Sequence, residues 1–242
     1  MRFQTELIPA RLIRRYNRFL TDAELETTGE VVRAHCPNPG SMMGLKEPGL
    51  RIWLEPNEDP KKKLKYGWRL VELGEGHWSG IDTSVPNRVV KEALHAGTIA
   101  EVAAYSDIRA EVKYGTNSRV DFLCRAAGLP DAYVEVKNVH LRRVSDWAEF
   151  PDSVTTRGAK HLSELSKMAS AGHRAIMLYL VQRTDCARLK MAPDLDPAYA
   201  AAFDAARDAG VEMICYGTRI DTRGVEIGSA LPIDAAPQSA MD

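Results

Sequence analysis

The chain has 242 residues, 45% of them hydrophobic and 27% charged, with a formal net charge of −1 at pH 7. That length fits one large or two small domains, and the composition is ordinary for a soluble globular protein. The charge balance excludes a bulk attraction to nucleic acid, so any such attraction must come from local clusters. No apolar run reaches membrane-spanning length and the N-terminus has no apolar signal segment, so a cytoplasmic location without a membrane partner is expected. Cys36, Cys124, Cys186 and Cys215 have no paired metal-type spacing, which argues against a disulfide framework.

Residues 1–83 read as short strands separated by turns. The expected strands are 3–8, 10–16, 19–25, 30–35, 50–55, 64–73 and 78–82. Thr28-Gly29, Pro37-Asn38-Pro39-Gly40, Glu47-Pro48-Gly49 and Gly74-Glu75-Gly76 supply the turn chemistry. About 80 residues of such strands suggest a small β-barrel. Two basic clusters lie on it. Arg11, Arg14, Arg15 and Arg18 alternate with Tyr16 and Phe19, and Lys61, Lys62, Lys63 and Lys65 adjoin Tyr66, Trp68 and Arg69. Cations that track a phosphate backbone, mixed with rings that stack on bases, suit a single-strand-binding barrel. The alternative for Trp53, Trp68 and Trp78 is that they fill a small core. His35-Cys36 has no second Cys or His nearby and is not read as a zinc or nucleophile site.

From residue 84 onward helices and strands alternate. A helix is expected over 86–96, opened by Ser84 and Pro86, then strands over 108–114, 119–125 and 132–139. Helix 155–171, a buried strand 174–182, an alanine-rich helix 197–209 and a strand 211–216 follow. The order α-β-β-β-α-β-α-β implies a mixed sheet with helices on both faces. The residues from Ala235 on read as a frayed end.

The most informative stretch is Ser118–Lys137. Asp121 interrupts one apolar strand, and Glu135 and Lys137 lie two apart on the next, so they share a face while Val134 and Val136 enter the core. A hairpin would bring Asp121 beside Glu135. Two carboxylates and a lysine at one point suit a hard divalent cation, magnesium or manganese, with Asp121 and Glu135 as ligands. Lys137 would orient water or stabilise developing charge; its alternative is an ordinary salt bridge. Glu111, on the preceding strand, is a candidate outer ligand. Glu92, on the helix opened by Pro86, is either a further carboxylate of the site or a solvated helix charge. Arg157, Lys160, His161 and Glu164 form one stripe on helix 155–171. Cations near a helix N-terminus oppose its dipole, and a bound phosphate would relieve that cost. The alternative is internal pairing with Asp152 and Glu164.

Asp on the second strand and Glu-x-Lys on the third resemble the core of the PD-(D/E)XK nuclease superfamily. A closer resemblance spans nearly the whole chain. It rests on Arg15-Tyr16-Asn17-Arg18-Phe19, His35-Cys36-Pro37-Asn38, Gly40-Ser41-Met42, Ser118-Arg119-Val120-Asp121-Phe122, Val134-Glu135-Val136-Lys137-Asn138-Val139, Phe150-Pro151-Asp152 and Arg157-Gly158-Ala159-Lys160-His161-Leu162. These blocks are similar to the sugar fermentation stimulation protein A family, with departures at Pro39 and His140, where threonine is expected. The resemblance implies an OB-type β-barrel over 1–83 that binds nucleic acid, followed over 84–242 by a mixed-sheet PD-(D/E)XK nuclease-like α/β domain. It implies DNA as partner, and the cations read above from charge and spacing, Arg14, Arg15, Arg18, Lys61, Lys62, Lys63, Lys65, Arg157, Lys160 and His161, are the candidates to bind it. Two function classes follow. One is a magnesium-dependent nuclease carrying Asp121, Glu135, Lys137, Glu111 and Glu92. The other is a DNA-binding regulator of sugar (maltose-type) metabolism genes that grips without cutting.

Overall fold

The structure is a computed structural model that describes residues 1–115 and 118–234. The end expected to fray, from Ala235 on, lies outside the described residues. Five strands close the barrel. Strand β1 (Ile8–Tyr16) pairs antiparallel with β2 (Leu20–Leu25) and β4 (Arg51–Pro56). Strand β3 (Val31–His35) pairs with β2, and β5 (Tyr66–Glu72) with β4. A parallel contact of Ala34 and His35 with Tyr66 and Gly67 joins β3 to β5 and seals the ring. A short β6 (Trp78–Gly80) then continues from β5.

Two-residue alternation builds this interior. Ala10 and Leu12 point inward from β1 while Arg11 and Ile13 stay exposed. Ile52, Leu54 and Trp68 are fully buried with them, each such apolar side chain contributing roughly 1.5–3 kcal/mol. The core-filling reading therefore holds for Trp68, whose indole N–H donates to the Leu70 carbonyl. Trp53 and Trp78 pack on one another, ring centroids 5.8 Å apart, against the core of the second sheet.

The expected strand over residues 3–8 does not form. Arg2 makes an isolated bridge to Gly224, and Met1 and Leu7 enter the core of the second sheet. The apolar residues there are satisfied by packing, but no neighbouring strand offers a ladder.

The second part opens with α1 (Val85–His95) and continues through β7 (Asp107–Tyr114), β8 (Ser118–Arg125), β9 (Ala132–Val139), β10 (Trp147–Phe150) and α2 (Thr156–Ser170). Then come β11 (Arg174–Val181), β12 (Arg188–Met191), α3 (Pro197–Asp208), β13 (Glu212–Asp221) and β14 (Gly224–Ala230). The sheet order is β14-β13-β11-β9-β8-β7, parallel through β9, β11 and β13 and antiparallel at both ends. Helices cover both faces, as the buried run of β11 demands. Ile176, Leu178 and Leu180 face α1, and Met177, Tyr179 and Val181 face α2 and α3.

Three strands were not expected from the sequence. β10 and β12 are four residues each and pair with one another as a two-stranded sheet of their own. β14 carries two glycines and a serine among its apolar residues and reads as a loop until β13 lies beside it. β13 also runs past the expected end at 216, through Gly217 to Asp221.

Candidate active site

The antiparallel ladder between β8 and β9 pairs Cys124 with Ala132, Leu123 with Tyr133 and Phe122 with Val134, and then stops. The next two residues facing each other would be Asp121 and Glu135. Here the strands part, because β9 continues alongside β11 as far as Val139. The Asp121 carboxylate fills the gap, accepting from the Val136 N–H at 2.7 Å and from the Asn87 side-chain amide of α1 at 2.8 Å. Glu135 is buried; the Lys137 ammonium donates to its Oε1 at 2.9 Å. Among the described residues Glu135 Oε2 is buried with no hydrogen-bond partner.

Helix α2 brings the third group. Its start is fixed by Thr155, whose hydroxyl accepts from the Gly158 N–H at 3.1 Å, and by Asp196, which accepts from the Thr155 N–H at 2.7 Å. This places His161 Nδ1 directly against Glu135 Oε1 and 3.1 Å from the Lys137 ammonium. Arg157 Nε donates to His161 Nε2 at 3.3 Å, which assigns the ring proton to Nδ1, facing the carboxylate. The two signals read separately from the sequence, the acidic hairpin and the basic helix stripe, thus meet at one place. Glu164, expected on the same stripe, is buried one turn further on and pairs with Lys167 at 2.9 Å.

Asp121 and Glu135 line one cavity of about 390 Å³ together with Glu111, Ser118, Arg119, Arg157, Lys160 and His161. Burial, reinforced by the Glu135 charge, raises the pKa of Asp121. Burial also pulls on Glu135, but the His161 hydrogen bond and the charge of Lys137 outweigh it and hold that carboxyl below its ordinary range. The Tyr114 hydroxyl is buried without a partner among the described residues; burial and the charges of Glu135, Glu164 and Asp121 push its pKa upward. Perturbed groups of this kind concentrate at functional sites.

Among the described residues no group of three or more His, Cys, Asp or Glu side chains is arranged to hold a metal by itself. The donors that do fit a hard cation are Asp121 and the unpartnered Oε2 of Glu135, a set that suits an ion keeping several waters and taking substrate oxygens. Glu111 lies exposed at the rim with a left-handed φ of 56°, unusual for a residue with a side chain. Glu92 does not line the cavity. Its carboxylate accepts from the Met1 ammonium at 2.5 Å, because five residues of helix turn it away from Asn87, the α1 residue that does reach Asp121. Asn87 and Arg119 were not among the expected site residues; Arg119 shares strand parity with Asp121, which was the available signal.

The barrel cations divide. Arg15 donates to the carbonyls of Asn38 at 2.7 Å and Gly40 at 3.1 Å, so its guanidinium holds the 37–41 turn. Arg14 pairs with Asp22 at 2.9 Å and lies over the Tyr16 ring, while Arg18 is exposed at the β1–β2 turn. Lys61, Lys62, Lys63 and Lys65 are all exposed in the loop between β4 and β5. The 37–41 turn itself joins the two parts. Asn38 anchors it within the barrel part by donating to the Ile81 carbonyl at 2.8 Å, and Ser41 crosses to the second part by donating its N–H to Asp152 Oδ2 at 3.1 Å. His140, one of the two departures, is buried with Nε2 3.4 Å from the same oxygen.

Fold and site together define a two-part molecule, a closed OB-type barrel followed by a mixed-sheet domain whose parted central strands carry a carboxylate–lysine–histidine cluster. The sequence profile described as "SfsA N-terminal OB domain" matches residues 13–81, and that described as "Sugar fermentation stimulation protein RE domain" matches residues 84–224. A sugar fermentation stimulation protein homolog of Dinoroseobacter shibae is 76% identical over 242 residues, covering 100% of this chain and 99% of that one. The homolog of Jannaschia sp. is 66% identical over 240 residues, covering 99% of each. The chain belongs to the sugar fermentation stimulation protein (SfsA) family. A solved structure of Pyrococcus furiosus SfsA, described as in complex with Ca2+, superposes with a TM-score of 0.85 at 26% identity over 97% of this chain and 98% of that one. Among the described residues no helix is long and apolar enough to cross a membrane.

Proposed function

We propose that this protein binds DNA and hydrolyses its phosphodiester bonds at the Asp121–Glu135–Lys137 site with a magnesium or manganese ion. The observation that carries the reading is the unpartnered, buried Oε2 of Glu135 in a cavity shared with Asp121 and rimmed by Arg119, Arg157 and Lys160. Leaving a buried carboxylate oxygen unsatisfied costs about 1–3 kcal/mol or more, and a ligand there would recover it. A divalent ion, when bound, would supply Lewis-acid polarisation of the phosphoryl oxygen and an activated water. Asp121 and Glu135 would hold it, and the description of the Pyrococcus furiosus relative with Ca2+, another oxygen-seeking cation, supports this assignment. Arg157 and Lys160 would hold the phosphates on either side of the scissile one. Lys137, 14% exposed, would offset the charge that develops on the phosphorane.

One observation favours a protein that grips without cutting: His161 and Lys137 both occupy Glu135 Oε1. The experiment that separates the readings incubates pure protein with labelled single- and double-stranded DNA and RNA in magnesium, manganese or EDTA. Metal-dependent cleavage is expected, abolished in Glu135→Ala, with metal-free affinity unchanged or slightly tighter because one negative charge is gone. A wild type that binds but cuts no substrate with either ion would leave the DNA-binding regulator as the function.

A further inference from the structure

The carboxylate oxygens of the Asp121–Glu135 pair are not equally available. Asp121 Oδ1 accepts from the Asn87 amide and Oδ2 from the Val136 N–H, and Glu135 Oε1 accepts from Lys137. Glu135 Oε2 alone has no partner among the described residues. An ion in this cavity therefore depends on where that oxygen points. We infer that His161 is the positioning residue that sets its direction: from α2 it holds Oε1 and so turns Oε2 toward the ion, acting on the metal through Glu135 and not on the phosphates. The inference rests on the ion site proposed above and adds how its ligand is aimed.

A glutamate side chain has several rotatable bonds, and strand β9 fixes only the face from which it leaves. Lys137 cannot fix the rest by itself, because its ammonium ends a flexible stem. The imidazole can, because it is planar and held at both ends. Arg157 Nε, one turn back on the same helix, donates to Nε2 at 3.3 Å, which leaves the Nδ1 proton for Glu135 Oε1. The helix is seated closely. A Cβ at Gly158 would come within 2.9 Å of Tyr199 Cε2, so the glycine lets the first turn of α2 lie against α3. His161 follows Gly158 by three residues and shares its side of the helix, so the packing that seats the first turn also fixes the ring.

Burial separates His161 from its cationic neighbours. It is 8% exposed, whereas Arg157 and Lys160 stand in solvent at the rim, where phosphates can reach them. Carboxylates that ligate metals are themselves hydrogen-bonded by outer partners that orient them. Occupation of Oε1 by His161 and Lys137 then serves the ion rather than excluding it, because two donors on one oxygen leave the other free.

The test titrates manganese into the metal-free protein without nucleic acid and reads the free ion by electron paramagnetic resonance. Wild type is compared with Asp121→Asn, His161→Ala, His161→Asn and Arg157→Ala. His161→Ala should weaken manganese binding by roughly 10- to 100-fold, the usual cost of losing an outer-shell partner. His161→Asn puts an amide N–H where the ring Nδ1 stood and should bind closer to wild type than to His161→Ala. Arg157→Ala keeps the imidazole but releases its far end, and should lose less than His161→Ala. Metal-free affinity for DNA should be unchanged in His161→Ala and reduced in Arg157→Ala. Arg157 is exposed, so its variant keeps the inference testable if His161→Ala does not fold. Tighter manganese binding by His161→Ala would overturn the inference, since the ring would then be blocking the ion. Unchanged manganese binding would overturn it too, as would a His161→Asn no better than His161→Ala, the ring then serving only the packing of α2. A wild type that binds manganese no better than Asp121→Asn would defeat the proposed ion site as well, whereas a wild-type site indifferent to His161 and Arg157 would defeat only this inference.

Discussion

Asp152 offers a quantitative test of how the barrel is fastened to the candidate active-site domain. It lies between β10 and α2, with its side chain 21% exposed, and reaches Ser41, 111 residues earlier in the chain. Burial alone would raise its pKa, but the His140 contact and the Ser41 donors outweigh burial and bring it from an ordinary 3.8 down to about 2. The folded form therefore binds the proton less tightly than the unfolded chain. Stability from this group is complete above the unfolded value of 3.8 and is lost as pH falls through about 2. A gap of about 1.8 pH units corresponds to about 2.4 kcal/mol in total, of which about 1 kcal/mol is already lost at pH 3. Urea unfolding of wild type and Asp152→Asn at pH 5 and pH 3 should show this. The wild type should lose about 1 kcal/mol more than the variant over that interval, because the amide does not titrate. Parallel losses in the two proteins would mean that the Ser41–Asp152–His140 contact stores no ionisation energy and that the junction is held by packing alone.

Replacing Lys61, Lys62 and Lys63 together by alanine should weaken nucleic-acid binding uniformly across sequences. It should flatten the salt dependence by up to roughly 0.7 in log–log slope per lost single-strand contact. Binding isotherms at several salt concentrations measure this, and an unchanged slope would assign the loop to solvent. Tyr114→Phe removes a buried hydroxyl that has no partner among the described residues. It should leave stability unchanged or raise it by up to about 1 kcal/mol, since no hydrogen bond is lost and a desolvated group is removed. A loss above about 1 kcal/mol in urea titration would show that the hydroxyl is bonded in solution, with the nearby carboxylates as its partners.

The sequence by itself determined the elements whose periodicity is local. The barrel strands alternate inward and outward every two residues, α1 and α2 carry an apolar face every three to four, and β11 is apolar throughout because it is covered on both sides. The same strand parity put Glu135 and Lys137 on one face, and the family's sequence blocks marked the surrounding residues. Other features depended on partners distant in the chain. β14 is a strand because β13 lies beside it, and residues 3–7 are not a strand because they find single partners, such as the Arg223 carbonyl for the Phe3 N–H, rather than a ladder. Glu92 and Asn87 are both polar residues of one helix, and only the helix's placement decided that Asn87 reaches Asp121 while Glu92 meets the chain's first residue. His161 read as a phosphate-binding cation on a separate element until the packing of α2 set it against Glu135. Side-chain direction along an element is fixed by backbone geometry and can be read from spacing. Which directions converge is fixed by packing between segments as far apart in the chain as Ser41 and Asp152, and no local pattern encodes it.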